Sequence, residues 1–212
     1  VYEEDVKAGS VFTLHTAEMD YEMTQIREQY GMTPVEFLEH IGVLGPNTLT
    51  AHTIHATERD VEILAKHGAS VAHCIASNTK AGKGVAPVSL MHKHGISVGF
   101  GTDGPASGNT LDLFIQMRMC ENFQKTTLHD RSALPAKEVV SMATIEGARA
   151  LGLGDVTGSI EPGKEADLVL IETDSPNMFP VYDPYSAIVY SASAANVRDV
   201  FVAGECLVKE KQ

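Results

Sequence analysis

Four short apolar runs in this chain each stop at a residue able to bind a metal or move a proton. They are Val11-Phe12-Thr13-Leu14 before His15, Thr48-Leu49-Thr50-Ala51 before His52, Ala69-Ser70-Val71-Ala72 before His73, and residues 96–102 before Asp103. A helix-like stretch follows each one. That rhythm predicts βα units, in which parallel strands lie side by side and share one C-terminal face. If such units close toward a barrel, three imidazoles and a carboxylate converge on the face where barrel enzymes carry out chemistry.

Between the runs, helices are expected over about 19–29, 35–41, 57–67, 86–94, 110–122 and 136–151. Ser77-Asn78-Thr79-Lys80-Ala81-Gly82-Lys83-Gly84 reads as a polar loop. It resembles a phosphate-cradling loop at a glance, but its lysines are misplaced for that motif. The texture changes near residue 153. Gly158-Ser159-Ile160-Glu161-Pro162-Gly163-Lys164 is turn-rich, residues 166–171 suit a short strand, and 197–208 suit two strands joined around Ala203-Gly204. The expected organisation is a partial (β/α) barrel over 1–152 and a small antiparallel unit over 153–212.

Composition narrows the partners. The 212 residues carry a formal net charge of −12, with no dense Lys/Arg cluster, so a nucleic-acid partner is not expected. A small neutral or cationic substrate fits better. No apolar run reaches the ~20 residues of a membrane helix. Cys74, Cys120 and Cys206 are odd in number and without CxxC spacing, which argues against a disulfide framework and a thiolate zinc site. A reducing cytoplasm is the expected location. Val1-Tyr2-Glu3-Glu4-Asp5 is acidic, lacks the start of a signal peptide and lacks an initiator Met, so a chain processed, trimmed or cut from something longer is expected.

Each chemical residue also has a commonplace reading. Glu18, three residues after His15, can carry a proton at a loop mouth or simply start a helix. Asp103-Gly104 can bind metal and accept a proton from water or simply make a turn. His52 and His73 can be hydrogen-bonded structural residues, and His55 adds little. Cys74 beside His73 suggests a thiol nucleophile, but adjacent strand residues face opposite ways. The joint pattern favours chemistry, because buried polar groups gathered on one face cost stability unless they are satisfied or used.

Leu14-His15-Thr16-Ala17-Glu18, Ala51-His52-Thr53, His73-Cys74-Ile75-Ala76-Ser77-Asn78-Thr79-Lys80 and Gly101-Thr102-Asp103-Gly104-Pro105-Ala106-Ser107 resemble the amidohydrolase superfamily. The nearest branch is the aminohydrolases that include 5′-methylthioadenosine/S-adenosylhomocysteine deaminases and triazine hydrolases. Residues 158–169 are similar to that family's return into its β-sandwich, and 176–181 to the adenosine-type deaminases. The resemblance implies the C-terminal half of a metal-dependent (β/α)8 barrel, strands five to eight, plus part of the sandwich. It implies hydrolytic deamination of an aminated purine or related heterocycle at a zinc, with iron or manganese as alternatives. By it, His15 is a metal ligand, Asp103 both ligand and general base, Glu18 the proton carrier to a ring nitrogen, and His52 the group that polarises the attacking water or developing oxyanion. His73, Asn78 and Ser107 lie at the substrate mouth.

Two departures accompany the resemblance. Cys74-Ile75 stands where the family often has Asn-Pro. The family's His-x-His metal ligands are absent before His15, and His92-Lys93-His94 lies in a helical stretch instead. A complete barrel takes typically ~250 residues, and about 150 precede the tail here. The front half is therefore expected to lie outside this sequence, leaving a homo-oligomer or an assembly with that half as the expected state. Displacement of chloride from a triazine, and a piece without catalysis of its own, are the alternatives.

Overall fold

The computed structural model describes Tyr2, Glu4, Lys7 and residues 9–212; Val1, Glu3 and Asp5 of the acidic start fall outside the described residues. Four parallel strands, β1 (Phe12–Thr16), β2 (Thr48–His52), β3 (Ser70–His73) and β4 (Val98–Phe100), lie in the order β1-β2-β3-β4. Spatial order equals chain order, so every crossover joins nearest neighbours, the simplest connection for successive βα units. The register places His15 beside Ala51, Ala51 beside Ala72, and Ala72 beside Gly99. Thr50, Val71 and Val98 occupy the adjacent level and are wholly buried.

The crossovers carry α1 (Asp20–Tyr30), α2 (Pro34–His40), α3 (Glu58–His67), α4 (Ile75–Lys80) and α5 (Val88–Lys93). Local sequence sets their ends. Thr33 caps α2 and Thr57 caps α3, each in a reciprocal capping box, with Glu36 and Asp60 respectively. Buried Asp60 also accepts from the Thr33 hydroxyl, tying the two helix starts together. Gly31 and Gly68 end α1 and α3 in the left-handed conformation that glycine adopts without strain. Val61, Leu64, Met91, Met117, Val139 and Met142 pack with Val71 and Val98 in the core. Burial stabilises each such side chain by about 1.5–3 kcal/mol.

After β4 come α6 (Pro105–Gly108), α7 (Leu113–Leu128), α8 (Ala136–Met142) and α9 (Ile145–Ala150). The single helix expected over 136–151 is thus two. Thr144 leaves helical geometry at φ −129° and ψ −103°, and α9 restarts with Gly147 against β4. A Cβ on Gly99 would lie 2.9 Å from the Gly147 Cα, so strand and helix meet backbone to backbone. The helix expected over 110–122 is capped by Asp112 and runs on to Leu128. The expected polar loop at 77–84 is also revised. Its first residues belong to α4, where Ser77 and Asn78 are buried.

The tail forms a separate antiparallel sheet of β5 (Leu168–Ile171), β6 (Val197–Val202) and β7 (Glu205–Val208). β1 and β4 are the edges of the parallel sheet, and among the described residues no further strand pairs with either. No described helix is long and apolar enough to cross a membrane.

Candidate active site at the strand ends

His15 and His52 show how this face is assembled. The register pairs Thr16 with His52, and side chains alternate along a pleat, so regular strands would send His15 and His52 to opposite faces. Their rings nevertheless stack, with centroids 5.2 Å apart and planes 20° apart. The backbone of His52 and Thr53 resolves this, because φ reaches 68° and 51° there and the pleat ends. The Thr53 amide donates to Thr16 O at 3.1 Å, and its hydroxyl donates to Thr50 Oγ1 at 3.0 Å. These bonds hold a conformation that β-branched residues otherwise avoid.

His52 is 1% exposed. Its Nδ1 lies 2.8 Å from Asn78 Oδ1 and its Nε2 lies 3.5 Å from Glu18 Oε1. With Nδ1–H donated to the amide, Nε2 is the nitrogen turned toward Glu18. The Glu18 main chain is fixed separately: Glu22 accepts from the Ala17 and Glu18 amides, both at 2.8 Å. Its carboxylate also meets the Lys83 ammonium.

Asp103 follows β4 with φ 58°. Ser77 donates to its Oδ2 at 2.7 Å, and the Gly104 amide donates to its Oδ1 at 2.7 Å. Partial burial pushes this carboxyl up, but Ser77, Gly104, nearby His52 and Ser107 together hold it below the usual carboxylate range. It is therefore an anion at neutral pH. Lys80 donates to Ser107 O at 2.8 Å and also reaches the Asn109 side chain, bracing the loop behind Asp103.

The sequence-derived candidates separate into two layers. His15, His52 and Glu18 meet through direct contacts, and Asp103 is tied to Ser77 and Gly104 with His52 near enough to lower its pKa. Asn78 is bonded to His52, wholly buried, and Ser107 is exposed on α6. His73 is wholly buried, with both ring nitrogens unpartnered among the described residues. Burial, then the nearby His52, pushes it down to about 3, so it is neutral. Burial, then the Asp103 charge, pushes the Cys74 thiol up to about 11, which removes it as a nucleophile at neutral pH. His92 turns to Glu138 at 3.5 Å, beside a 730 Å³ cleft near Ile96 and Ser97, before β4 rather than after it.

Ser77, Lys80, Lys83 and Glu22 escaped the sequence reading. Ser77 and Lys80 flank Asn78 on one helical turn just beyond a strand end, and that placement was the available signal.

A neutral imidazole and an anionic carboxylate are donor types that suit a divalent transition metal. His15 and Asp103 thus fit in kind. They fall short in number, because among the described residues no group of three or more His, Cys, Asp or Glu side chains is arranged to hold a metal ion.

The 212 residues align in full with a 5-methylthioadenosine/S-adenosylhomocysteine deaminase of Desulfitobacterium hafniense, at 43% identity over 49% of that protein. A 5′-deoxyadenosine deaminase of Methanothermobacter thermautotrophicus matches 93% of the chain at 43% identity, over 46% of its own length. Among solved structures, a zinc-bound adenosine deaminase from Xanthomonas campestris superposes with a TM-score of 0.97 at 34% identity, covering 100% of this chain and 48% of that one. An atrazine chlorohydrolase from Arthrobacter aurescens TC1, complexed with zinc, gives 0.93 at 28% identity, over 100% and 47%. The chain thus spans about half the length of the relatives it matches, and its parallel sheet corresponds to part of their barrel fold. The amidohydrolase family model matches residues 2–207, and the chain belongs to that family.

Proposed function

We propose that this chain carries the C-terminal half of the active site of a metal-dependent deaminase acting on an aminated purine nucleoside or a related N-heterocycle. One observation carries the reading: Glu18 and His52, from two separate strand ends, meet beside the imidazole of His15, and Asp103, from a third strand end, lies near enough for the His52 charge to lower its pKa. In this reading residues 1–152 are the barrel portion and 153–212 the sandwich portion. His15 and Asp103 are two of the ligands, with zinc the first choice of metal. A bound zinc lowers the pKa of water toward ~7 and polarises the group under attack.

The protein groups divide the proton work. Asp103, held anionic by Ser77 and Gly104, takes the proton of the attacking water. Glu18 delivers a proton to the ring nitrogen next to the carbon that carries the amine. His52, held by Asn78 at 2.8 Å, orients the oxygen as it adds to that carbon. Asp103 then passes its proton to the amine, the C–N bond breaks and ammonia leaves, and the proton of the added hydroxyl returns to Glu18 as the carbonyl forms. Asn78 holds His52, and His73, Asn78 and Ser107 lie on the substrate side of the site. The likeness to the zinc-bound chlorohydrolase favours a second reading, in which the same groups displace chloride from a triazine.

The test uses the chain alone and the chain fused behind the front half of its Desulfitobacterium relative. Alone, it is expected to retain almost no zinc after dialysis. Fused, it is expected to hold about one zinc per chain and to release ammonia from adenosine-type substrates. Zinc binding with chloride release from a triazine, and no ammonia, would replace the first reading with the second. In the fused protein, Glu18→Gln should lower kcat by about 10²–10⁴-fold and leave zinc content unchanged.

A further inference from the structure

We infer that Lys83 is a positioning residue for Glu18, an inference that rests on Glu18 being the proton carrier. Lys83 lies between α4 and α5, 65 residues beyond Glu18, and its ammonium meets Glu18 Oε1 while both side chains are 19% exposed. Lysine ammonium groups favour water, and holding this long side chain still costs rotamer entropy. A half-buried placement against one carboxylate at the barrel mouth therefore needs a compensating role.

The backbone around Lys83 is shaped for this reach. Gly82 and Gly84 both take positive φ, 66° and 123°. A Cβ on Gly84 would come within 2.9 Å of Ile54 Cγ2, so the loop is seated on the segment that follows His52. Three loops are joined in this way: the one after β3 rests on the one after β2 and grips the carboxylate of the one after β1. Glu22 fixes only the main chain of Ala17 and Glu18. The direction of the Glu18 carboxylate is left to Lys83 on one side and His52, at 3.5 Å, on the other. Lys83 thus sets where the proton carrier waits, and misplacing such a group costs turnover more than substrate affinity.

The experiment measures kcat and KM for ammonia release by the fused enzyme and its Lys83→Met, Lys83→Arg and Glu18→Gln forms, together with the double variant that combines Lys83→Met and Glu18→Gln. Lys83→Met is expected to lower kcat about 10- to 100-fold and to move KM less than about threefold. Lys83→Arg should return kcat to within about threefold, since a second cation reaches the same carboxylate. In the Glu18→Gln background Lys83→Met should add almost nothing, because the two residues act as one unit. Wild-type kcat in Lys83→Met, or full additivity with Glu18→Gln, would overturn the inference and leave the deaminase reading intact. A wild-type fusion that binds zinc but releases no ammonia would overturn that reading and the inference with it.

Discussion

Left-handed backbone occurs in both sheets, but it does different work in each. Beyond the parallel strands it falls at Ala17, His52, Thr53 and Asp103; in the antiparallel sheet it falls at Ala203 and Gly204, between β6 and β7. Each non-glycine residue held there costs roughly 1–2 kcal/mol. At the parallel ends His52 and Thr53 are almost fully buried, and the distortion aims His52 at His15 and Glu18. Between β6 and β7 the same distortion only reverses an exposed chain. Strain in the first region aims chemical groups, and in the second it makes a turn.

Asp103→Asn tests this contrast most severely. Asparagine tolerates φ near 58° as well as aspartate but weakens the charged bonds from Ser77 and Gly104. Stability in urea unfolding should therefore drop by only about 1–2 kcal/mol, while kcat of the fused enzyme falls about 10³-fold or more. A fall in midpoint with kcat preserved would make Asp103 a turn residue like Ala203. Next in size is the acid sensitivity from His73. Its folded pKa of about 3 lies below the ordinary 6.5. Between those values the unfolded chain binds a proton that the folded one refuses. The stabilisation is full above about pH 6.5 and is lost as pH falls toward 3, at up to about 1.4 kcal/mol per pH unit. His73→Leu should flatten the dependence of urea unfolding on pH between 6.5 and 4.5. An unchanged slope would mean that His73 takes up protons freely in the folded state. Gly99→Ala should cost about 1–3 kcal/mol by urea unfolding, because its methyl meets the Gly147 backbone at 2.9 Å, where no side chain can swing aside.

The strand rhythm was legible because apolar and β-branched residues fill most of each short parallel strand, and a chemical residue at its end interrupts that run. His15, His52 and Asp103 stood out for that reason. The first turn of α4 was not legible, since Ser77, Asn78 and Thr79 favour turns when read locally. Tertiary partners 26 residues away hold Ser77 and Asn78 in the helix, through Asp103 and His52. Asn78 is thereby buried and bonded to His52. Lys83 was hidden between two glycines, a setting that reads as solvated loop. The break at Thr144 follows from the close approach of Gly147 to Gly99, a contact between distant segments that helical periodicity does not carry.

The smallest effect is the most direct comparison of the two regions. Ala203 and Gly204 have φ 49° and 82°, both positive, as a two-residue hairpin of the primed type requires, and Asn-Gly suits that turn best. The Ala203 amide donates to Asp167 Oδ1 at 2.8 Å, a bond that a change of side chain leaves in place. Ala203→Asn should therefore stabilise the chain by about 0.5 kcal/mol in urea unfolding. Thr53→Asn relieves the same backbone cost at φ 51°, yet it removes the hydroxyl that donates to Thr50 Oγ1 at 3.0 Å in a buried setting. It should destabilise by about 1 kcal/mol. Opposite signs for one replacement residue would show that neighbours compensate the strain at the barrel mouth and that the hairpin carries its strain uncompensated. Equal gains at both positions would show that Thr53 is held by nothing but its backbone, and the contrast between the two sheets would fail.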